Sequence, residues 1–331
     1  MGESMTDTAL HRMIRQQADV LDRMAGLDLA DRAAPLAAAR RVILVGTGTS
    51  QHAAELGAML LEQAGLDARW FPSATWARWS AGPQPGDALV VISHTGETAY
   101  AARSRADALA RGVPLVSITG TGAGWPEAIQ TVPHEEAETY TVSYTSALAV
   151  LARLAQHAGS AHGSPADLRQ AAAQVRDILA SPGVDDVAVP ARSLAVIGCG
   201  PWGVTAREAA LKLREGAGLL AQGFDTERLL HGFAVPYTAA DGLLLVQPDA
   251  DPDGLTAALG QAAAQEGIPV ATLSVAGGSL PPVLAQIPMT VRLQLLAERF
   301  AALRRRSPDT VITGAWAAPR LWQLGGPAAG G

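Results

Sequence analysis

The chain has 331 residues, 48% of them hydrophobic and 17% charged, enough for two globular domains with cores of their own. A net charge of −6, with no basic cluster beyond Arg304, Arg305 and Arg306, argues against nucleic acid as the main partner, and a single cysteine, Cys199, excludes a disulfide framework or a cysteine-rich zinc site within one chain. Apolar runs such as 42–45 and 243–246 fall far short of the ~20 residues a membrane span needs. Glu3, Asp7, His11, Arg12 and Arg15 break up any signal-peptide core, so the expected location is cytoplasmic, with no membrane partner.

Leu10, Met13, Ile14, Ala18, Leu21 and Met24 recur at helical spacing and predict a leading helix over 8–24. From Arg41 the pattern alternates. Strands are predicted at 41–46, 67–71, 87–93 and 113–119, with helices at 50–64, 98–110 and 143–158. Such alternation predicts an α/β fold, a parallel sheet with helices on both faces. A polar break at 157–165 and a helix at 165–179, ending in Ser181-Pro182-Gly183, precede a second series. Its strands are predicted at 193–198, 243–247 and 270–274, and its helices at 204–215 and 255–266. A shift of 152 positions lays Ile43-Leu44-Val45-Gly46-Thr47-Gly48 on Ala195-Val196-Ile197-Gly198-Cys199-Gly200, with Ala54 on Ala206, Ala58 on Ala210 and Leu61 on Leu213. Two copies of one α/β unit follow from that register. The expected division is an N-terminal helix in 1–36, a first domain in 37–160, a linker helix in 161–187, a second domain in 188–323 and a disordered tail of glycine, proline and alanine in 324–331.

Ligands of parallel sheets bind at the loops leaving the carboxyl ends of strands. In the first copy two such loops are rich in small hydroxyl residues, Gly46-Thr47-Gly48-Thr49-Ser50 and Ser93-His94-Thr95-Gly96-Glu97-Thr98. Each runs into a helix, whose backbone N–H groups and dipole favour an anion such as phosphate. Helix capping by Ser50 and Thr98 is the plainer explanation for one loop alone, but less so for two in one sheet. The corresponding loop of the second copy, Gln247-Pro248-Asp249-Ala250-Asp251, has carboxylates and no hydroxyl. That copy instead carries Glu208, Lys212 and Glu215 at i, i+4 and i+7, opposite Ala206, Ala209, Ala210, Leu213 and Ala217. Lys212 is the sole lysine among 25 basic residues, and Lys212 and Glu215 correspond to Leu60 and Gln63 in the first copy. An ordinary solvated helix face with an i, i+4 pair would look the same.

These motifs together resemble the double sugar-isomerase (SIS) domain family, whose best-known member is the isomerase half of glucosamine-6-phosphate synthase. The resemblance rests on Gly48-Thr49-Ser50, on Ser93-His94-Thr95-Gly96-Glu97-Thr98, on Glu208-Ala209-Ala210-Leu211-Lys212-Leu213-Arg214-Glu215 and on His231-Gly232, in that order over 38–323. It implies two three-layer α-β-α sandwiches and a phosphorylated sugar held by Gly48, Thr49, Ser50, Ser93, His94, Thr95 and Thr98, with Thr141 and Ser143 as further contacts. It also implies that Glu215 moves a proton between C1 and C2 of the open-chain sugar, that Lys212 stabilises charge beside it, and that His231 assists ring opening from a partner subunit. A homodimer with shared active sites between the two halves, and no cofactor or metal, are the corresponding expectations.

Departures from the family are specific. Phe233 stands where proline follows His-Gly, the glutaminase domain is missing, and Pro319-Arg320-Leu321-Trp322-Gln323-Leu324 lacks the lysine that forms an imine in the synthase. The resemblance favours a deaminase or deglycase for a 6-phosphorylated amino sugar or ketosamine, with a simple aldose/ketose isomerase or a non-catalytic sugar-phosphate sensor as alternatives. A further alternative is dinucleotide binding through Gly198-Cys199-Gly200-Pro201-Trp202-Gly203, with Asp225 downstream. His134-Glu135-Glu136-Ala137-Glu138 resembles a metal site but reads as a solvated charge run.

Overall fold

The computed structural model describes residues 8–248, 251–275 and 280–327. Helices α1 (Ala9–Arg15), α2 (Gln17–Ala25) and α3 (Ala30–Ala37) precede the first strand, so the leading helix expected over 8–24 is two helices that meet at Gln16. The first series runs β1 (Arg41–Gly46), α4 (Thr49–Gln63), β2 (Ala68–Pro72), α5 (Ser73–Trp79), β3 (Asp87–Ile92), α6 (Ala99–Arg111), β4 (Leu115–Thr119), β5 (Ile129–Gln130) and α7 (Val142–His157). After α8 (Pro165–Ala180) come β6 (Ser193–Gly198), α9 (Pro201–Ala217), β7 (Leu220–Asp225) and α10 (Thr226–Arg228), which continues as a π-turn over Leu229–Phe233. The series ends with β8 (Gly242–Pro248), α11 (Leu255–Gln265), β9 (Val270–Val275), α12 (Pro282–Leu303) and α13 (Pro319–Gln323). Residues 1–7, Asp249, Ala250 and residues 328–331, on which parts of the expected leader, second-copy loop and tail fall, lie outside the described residues.

Both sheets are wholly parallel, in the orders β2-β1-β3-β4-β5 and β7-β6-β8-β9. The α/β class read from alternating elements is thus the observed one. Contacts divide the chain into two compact units. One holds the first sheet and comprises the described parts of Asp19–Glu135, Val142–Gln170 and Ile312–Gly331; the other holds the second sheet, in Met1–Ala18, Glu136–Thr141 and Ala171–Val311. Strand β3 is buried at every position and β1 at all but its first, which is why both are continuous apolar runs and not alternating ones. Their side chains Ile43, Val45, Leu89 and Val91 form a core with Trp76, Ala101, Ala108 and Trp125.

The repeat extends to backbone detail. Gly48 (φ 59°, ψ −130°) and Gly200 (φ 58°, ψ −126°) open α4 and α9 in the same conformation, in the left-handed half of φ space that favours glycine. Two residues earlier, a Cβ on Gly46 would stand 2.2 Å from the Ser50 carbonyl oxygen, and one on Gly198 would stand 2.6 Å from that of Trp202. The helix therefore starts directly on the strand end in both copies. At the opposite edge a second shared device was not visible in the sequence. Buried Asp87, opening β3, accepts from Arg40 at 2.7 Å and Arg41 at 2.6 Å, and buried Asp241, beside β8, accepts from Arg192 at 2.8 Å and Ser193 at 2.6 Å. Burial alone would raise the Asp87 carboxyl, but the Arg41 guanidinium, the Gln84 N–H and Arg40 together hold it below the usual carboxylate range.

Elements absent from the expected series are α3, α5, β5, β7, α10, α12 and α13. Strand β7 (Leu-Ala-Gln-Gly-Phe-Asp) lies at a sheet edge with a glycine and two polar residues, so it shows neither a buried run nor clean alternation. Helix α12 is buried on nearly every side and contains Pro288, so it has no amphipathic period to detect. It is pinned to α9 within the second unit by Thr205 Oγ1 donating to Gln286 Oε1 at 2.6 Å and Arg304 Nε donating to the Ala217 carbonyl at 2.8 Å.

The strand-to-helix contact predicts that Gly46→Ala destabilises the fold by ~1–3 kcal/mol, an overpacking cost against backbone that cannot move aside. Gly124→Ala, where nothing lies within 4 Å and φ is not positive, is the matched control and should be neutral or slightly stabilising. Urea-unfolding midpoints of the two variants check this; equal midpoints contradict it.

Candidate functional site

In the first unit the chain order of strands reverses between β1 and β3, which is the switch point where ligands of open α/β sheets bind. The loops leaving these two neighbouring strands are the two hydroxyl-rich ones. Gly48, Thr49 and Ser50 form the start of α4, and Ser93, His94, Thr95 and Thr98 the turn into α6. Helix capping does not account for their hydroxyls. The cap position of α4 is Gly48, which has no side chain, and Thr98, although in the cap position of α6, makes no capping bond. Its Oγ1 instead accepts from the buried Ser93 Oγ at 3.2 Å, and Thr95 Oγ1 accepts from the Glu97 N–H at 3.1 Å across a turn that Gly96 closes with φ 73°. Thr47 of the other loop shares a hydrogen bond with buried Ser73.

His94 is turned into the protein. Its Nε2 accepts from the Glu135 N–H at 3.3 Å, its ring stacks on that of His134 at 5.8 Å, and it fills the space where a Cβ on Gly120 would stand, 2.5 Å from Cε1. Burial, and to a lesser degree His134, lower its pKa to about 4, so the ring is neutral and serves as a bracket between the loops after β3 and β5.

The run at 134–138 is a solvated charge run only in part: His134 and Glu136 are exposed, but Glu135 is not. Glu135 is buried, and its Oε1 accepts from the Ser143 N–H at 2.7 Å in the first turn of α7, where a carboxylate is favoured by the helix dipole. Ser143 is buried and its carbonyl accepts from Ser146 Oγ at 3.0 Å; the capping group is thus Glu135 and not a hydroxyl. In the second unit Glu136 pairs with Arg12 at 2.5 Å, Glu138 accepts from the Val311 N–H at 2.6 Å, and the carbonyl of fully buried Thr141 accepts from Gln294 at 3.4 Å. Among the described residues no group of three or more His, Cys, Asp or Glu side chains is placed to hold a metal ion.

Helix α9 carries the charged row of the second unit, and its surroundings differ from a solvated face. Lys212 and Glu208 are each 1% exposed, and Glu215 is 22% exposed. Lys212 Nζ donates to Glu215 Oε2 at 2.5 Å and lies 3.6 Å from Glu208 Oε1. The face opposite Ala206, Ala209, Ala210, Leu213 and Ala217 is therefore also buried, and one ammonium lies between two carboxylates. The spacing picked out this row, but Glu208 had no role in the expected site; its complete burial is the feature that sets it apart. His231 lies in the π-turn, 75% exposed and 3.9 Å from Glu227, with Gly232 at φ 88°. Phe233, in place of proline, packs on Phe224 at 5.3 Å and under Arg228 at 4.7 Å, so the turn is anchored by an aromatic contact.

The glycine fingerprint at 198–203 sits between a strand and a helix, as a dinucleotide site requires, but its glycines have local explanations. The turn at Gly200 is the one Gly48 makes in the first copy. A Cβ on Gly203 would fall 2.1 Å from Asp225 Oδ1, and that carboxylate accepts from Arg207 at 2.8 Å.

Residues 35–155 match the SIS domain family. The matched segment contains both hydroxyl loops and Glu135. No curated protein matches the chain by sequence. In structure the chain is similar to tagatose-6-phosphate ketose/aldose isomerase from Escherichia coli, with a TM-score of 0.79 and 19% identity over 95% of this chain and 98% of that one. It is also similar to glucosamine-6-phosphate deaminase from Thermotoga maritima (TM-score 0.76, 18% identity, 91% and 97% covered). A third is the C-terminal domain of glucosamine-fructose-6-phosphate aminotransferase from Francisella tularensis (TM-score 0.74, 17% identity, 92% and 98% covered). At these identities the likeness is one of fold. No helix among the described residues is long and apolar enough to cross a membrane.

The neutral His94 gives a pH dependence with a definite sign. The unfolded chain takes up this proton near pH 6.5 and the folded chain only near pH 4, so acidification across that window favours unfolding. The stability lost between pH 6.5 and 4 is roughly 1–3 kcal/mol for this residue. His94→Gln, which keeps a hydrogen-bonding side chain without the titration, should flatten the wild-type curve of stability against pH in this range. Parallel curves for the two proteins would contradict the assignment.

Proposed function

We propose that the chain is a sugar-phosphate enzyme that isomerises, or removes the amine from, a 6-phosphorylated sugar, with a 6-phosphorylated amino sugar or ketosamine as the favoured substrate. The observation that carries this reading is the ammonium of Lys212, buried between Glu208 and Glu215. A buried ion pair is weak as a device for stability, because desolvation offsets most of the attraction, and such charges cluster at functional sites. Glu215 retains exposure that Glu208 and Lys212 lack, which suits the group that meets a substrate. Its carboxylate takes the proton from one of C1 and C2 and returns it to the other through an enediol, while Lys212 stabilises the oxygen charge that develops.

The hydroxyls and helix N-termini at Gly48, Thr49, Ser50, Ser93, Thr95 and Thr98 hold the phosphate, with His94 bracing the loop and Ser143 completing its surroundings. His231 assists ring opening in a homodimer. Its exposure, and that of Leu230 and Val235 beside it, suits a residue that a second subunit covers. Aldose/ketose exchange needs only this proton shuttle; deamination or deglycation adds water and releases the amine. The reading that the protein is a sensor has no specific observation in its favour, since sensing needs no buried lysine between carboxylates.

The test is a panel of 6-phosphorylated aldoses, ketoses, amino sugars and ketosamines, followed by aldose/ketose exchange, ammonia and free amino acid. Turnover of at least one is expected, with Glu215→Gln lowering kcat roughly 10²–10⁴-fold at a KM changed little, the usual contribution of a positioned acid/base group. Lys212→Arg should not rescue Lys212→Met, because a planar guanidinium does not replace a compact ammonium between two carboxylates. Binding without turnover of any member, or Glu215→Gln with wild-type kcat, sinks the proposal.

A further inference from the structure

Ser93 and Thr98 form the floor of the loop that opens α6, and a third hydroxyl lies beside them without a partner. Thr119 ends β4, is 1% exposed, and its Oγ1 makes no hydrogen bond. Its backbone is fully used, with the carbonyl accepting from the Thr131 N–H at 2.8 Å and from Thr131 Oγ1 at 3.0 Å. Strands β3 and β4 are neighbours in register Ile92↔Ile118, and the Ser93 N–H continues the ladder to the Ile118 carbonyl at 3.0 Å. Ser93 and Thr119 are thus the next pair along, on the same face of the sheet. That face is the one α6 covers. Ser117, two residues before Thr119, donates to Glu127, which in turn binds Arg105 of α6 at 2.7 Å.

A buried hydroxyl with no partner is destabilising in the free protein and calls for an explanation. We propose that Thr119 is a positioning residue of the anion site, which supports Ser93 when a phosphate is bound. In the structure the Ser93 proton goes to Thr98 Oγ1. A bound phosphate is acceptor-rich and draws the Ser93 proton from Thr98 Oγ1 to itself; a hydroxyl that donates to an anion is the better acceptor, and its oxygen can take a donor in turn. Adjacent strands lie about 4.8 Å apart, so a χ1 rotation of Thr119 turns its O–H toward Ser93 Oγ. Thr119 then donates to Ser93 as Ser93 donates to phosphate, a chain in which each bond polarises the next. The inference rests on the reading of 93–98 as a phosphate loop.

The test is calorimetric titration of the full chain with inorganic phosphate. Thr119→Val, close to isosteric, should weaken phosphate binding roughly three- to tenfold, the range of one hydrogen bond. Its melting temperature should equal or exceed that of wild type, since an unpaired buried hydroxyl is removed. Thr119→Ser should bind within about twofold of wild type, as a hydroxyl is all that is needed. Thr119→Ala supplies the same comparison if valine disturbs the packing. Ser117→Ala is the control, losing a bond to Glu127 and hence stability while keeping phosphate affinity. Wild type that binds phosphate, with Thr119→Val and Thr119→Ala binding equally well, overturns the role of Thr119 and leaves the phosphate loop standing. Wild type that does not bind phosphate overturns the phosphate loop and the role of Thr119 with it.

Discussion

The fold depends on a single tight passage, made twice, from strand end to helix start. At Gly46 and at Gly198 the following helix begins so close that a methyl group would overlap its backbone, and the intervening Gly48 and Gly200 turn the chain in a conformation that side chains resist. The consequence is positional. A helix that starts on the strand end points its first N–H groups along the carboxyl edge of the sheet, so any hydroxyl in the turn is held near a partial positive charge. In the first copy the turn carries Thr47, Thr49 and Ser50, and in the second Cys199, Pro201 and Trp202. The same backbone therefore presents an anion-friendly edge once and an apolar, proline-started helix the other time.

That contrast explains why the second copy could place its charge further along the helix. Pro201 and Trp202 close the first turn of α9, and Gly203 lets Asp225 approach, where Arg207 holds it. With the helix N-terminus occupied in this way, polar residues follow one to four turns on, at Thr205, Glu208, Lys212, Arg214 and Glu215. Thr205 is committed to Gln286 of α12. Packing against α12, β6 and β7 removes most of α9 from solvent, so a row that would be an ordinary surface on an outer helix becomes a set of charges held out of water.

The sequence disclosed what is periodic or repeated. Strands β1, β3, β6 and β8 were legible because burial on both faces makes them continuous apolar runs, and the register between copies was legible because Gly46, Gly48, Gly198 and Gly200 are fixed by backbone geometry. Helix α12 was not, since burial on all sides erases amphipathic period, and β7 was not, since an edge strand with Gly223 has no clean pattern. In the site, the hydroxyl loops stood out by composition. Glu135 did not. Its neighbours His134, Glu136 and Glu138 made it look solvated, and only the fold reveals that the start of α7 comes to meet it. Glu208 was visible as the first member of an i, i+4 pair, but its burial depends on tertiary packing that spacing cannot encode.

Composition adds a chemical argument to the geometric one. All but one of the 25 basic residues are arginine, and these do structural work of the kind a planar fork suits: Arg40 and Arg41 on Asp87, Arg105 on Glu127, Arg192 on Asp241, Arg207 on Asp225. Each holds a carboxylate from one side and keeps part of its guanidinium toward solvent. Position 212 differs in that the cation is 1% exposed and has carboxylates at 2.5 and 3.6 Å on the same helix, one turn before it and one turn after. A guanidinium there would need room for five donors, whereas an ammonium directs three donors from one atom. The constraint on that residue is thus steric, and it is met by the one lysine the chain contains.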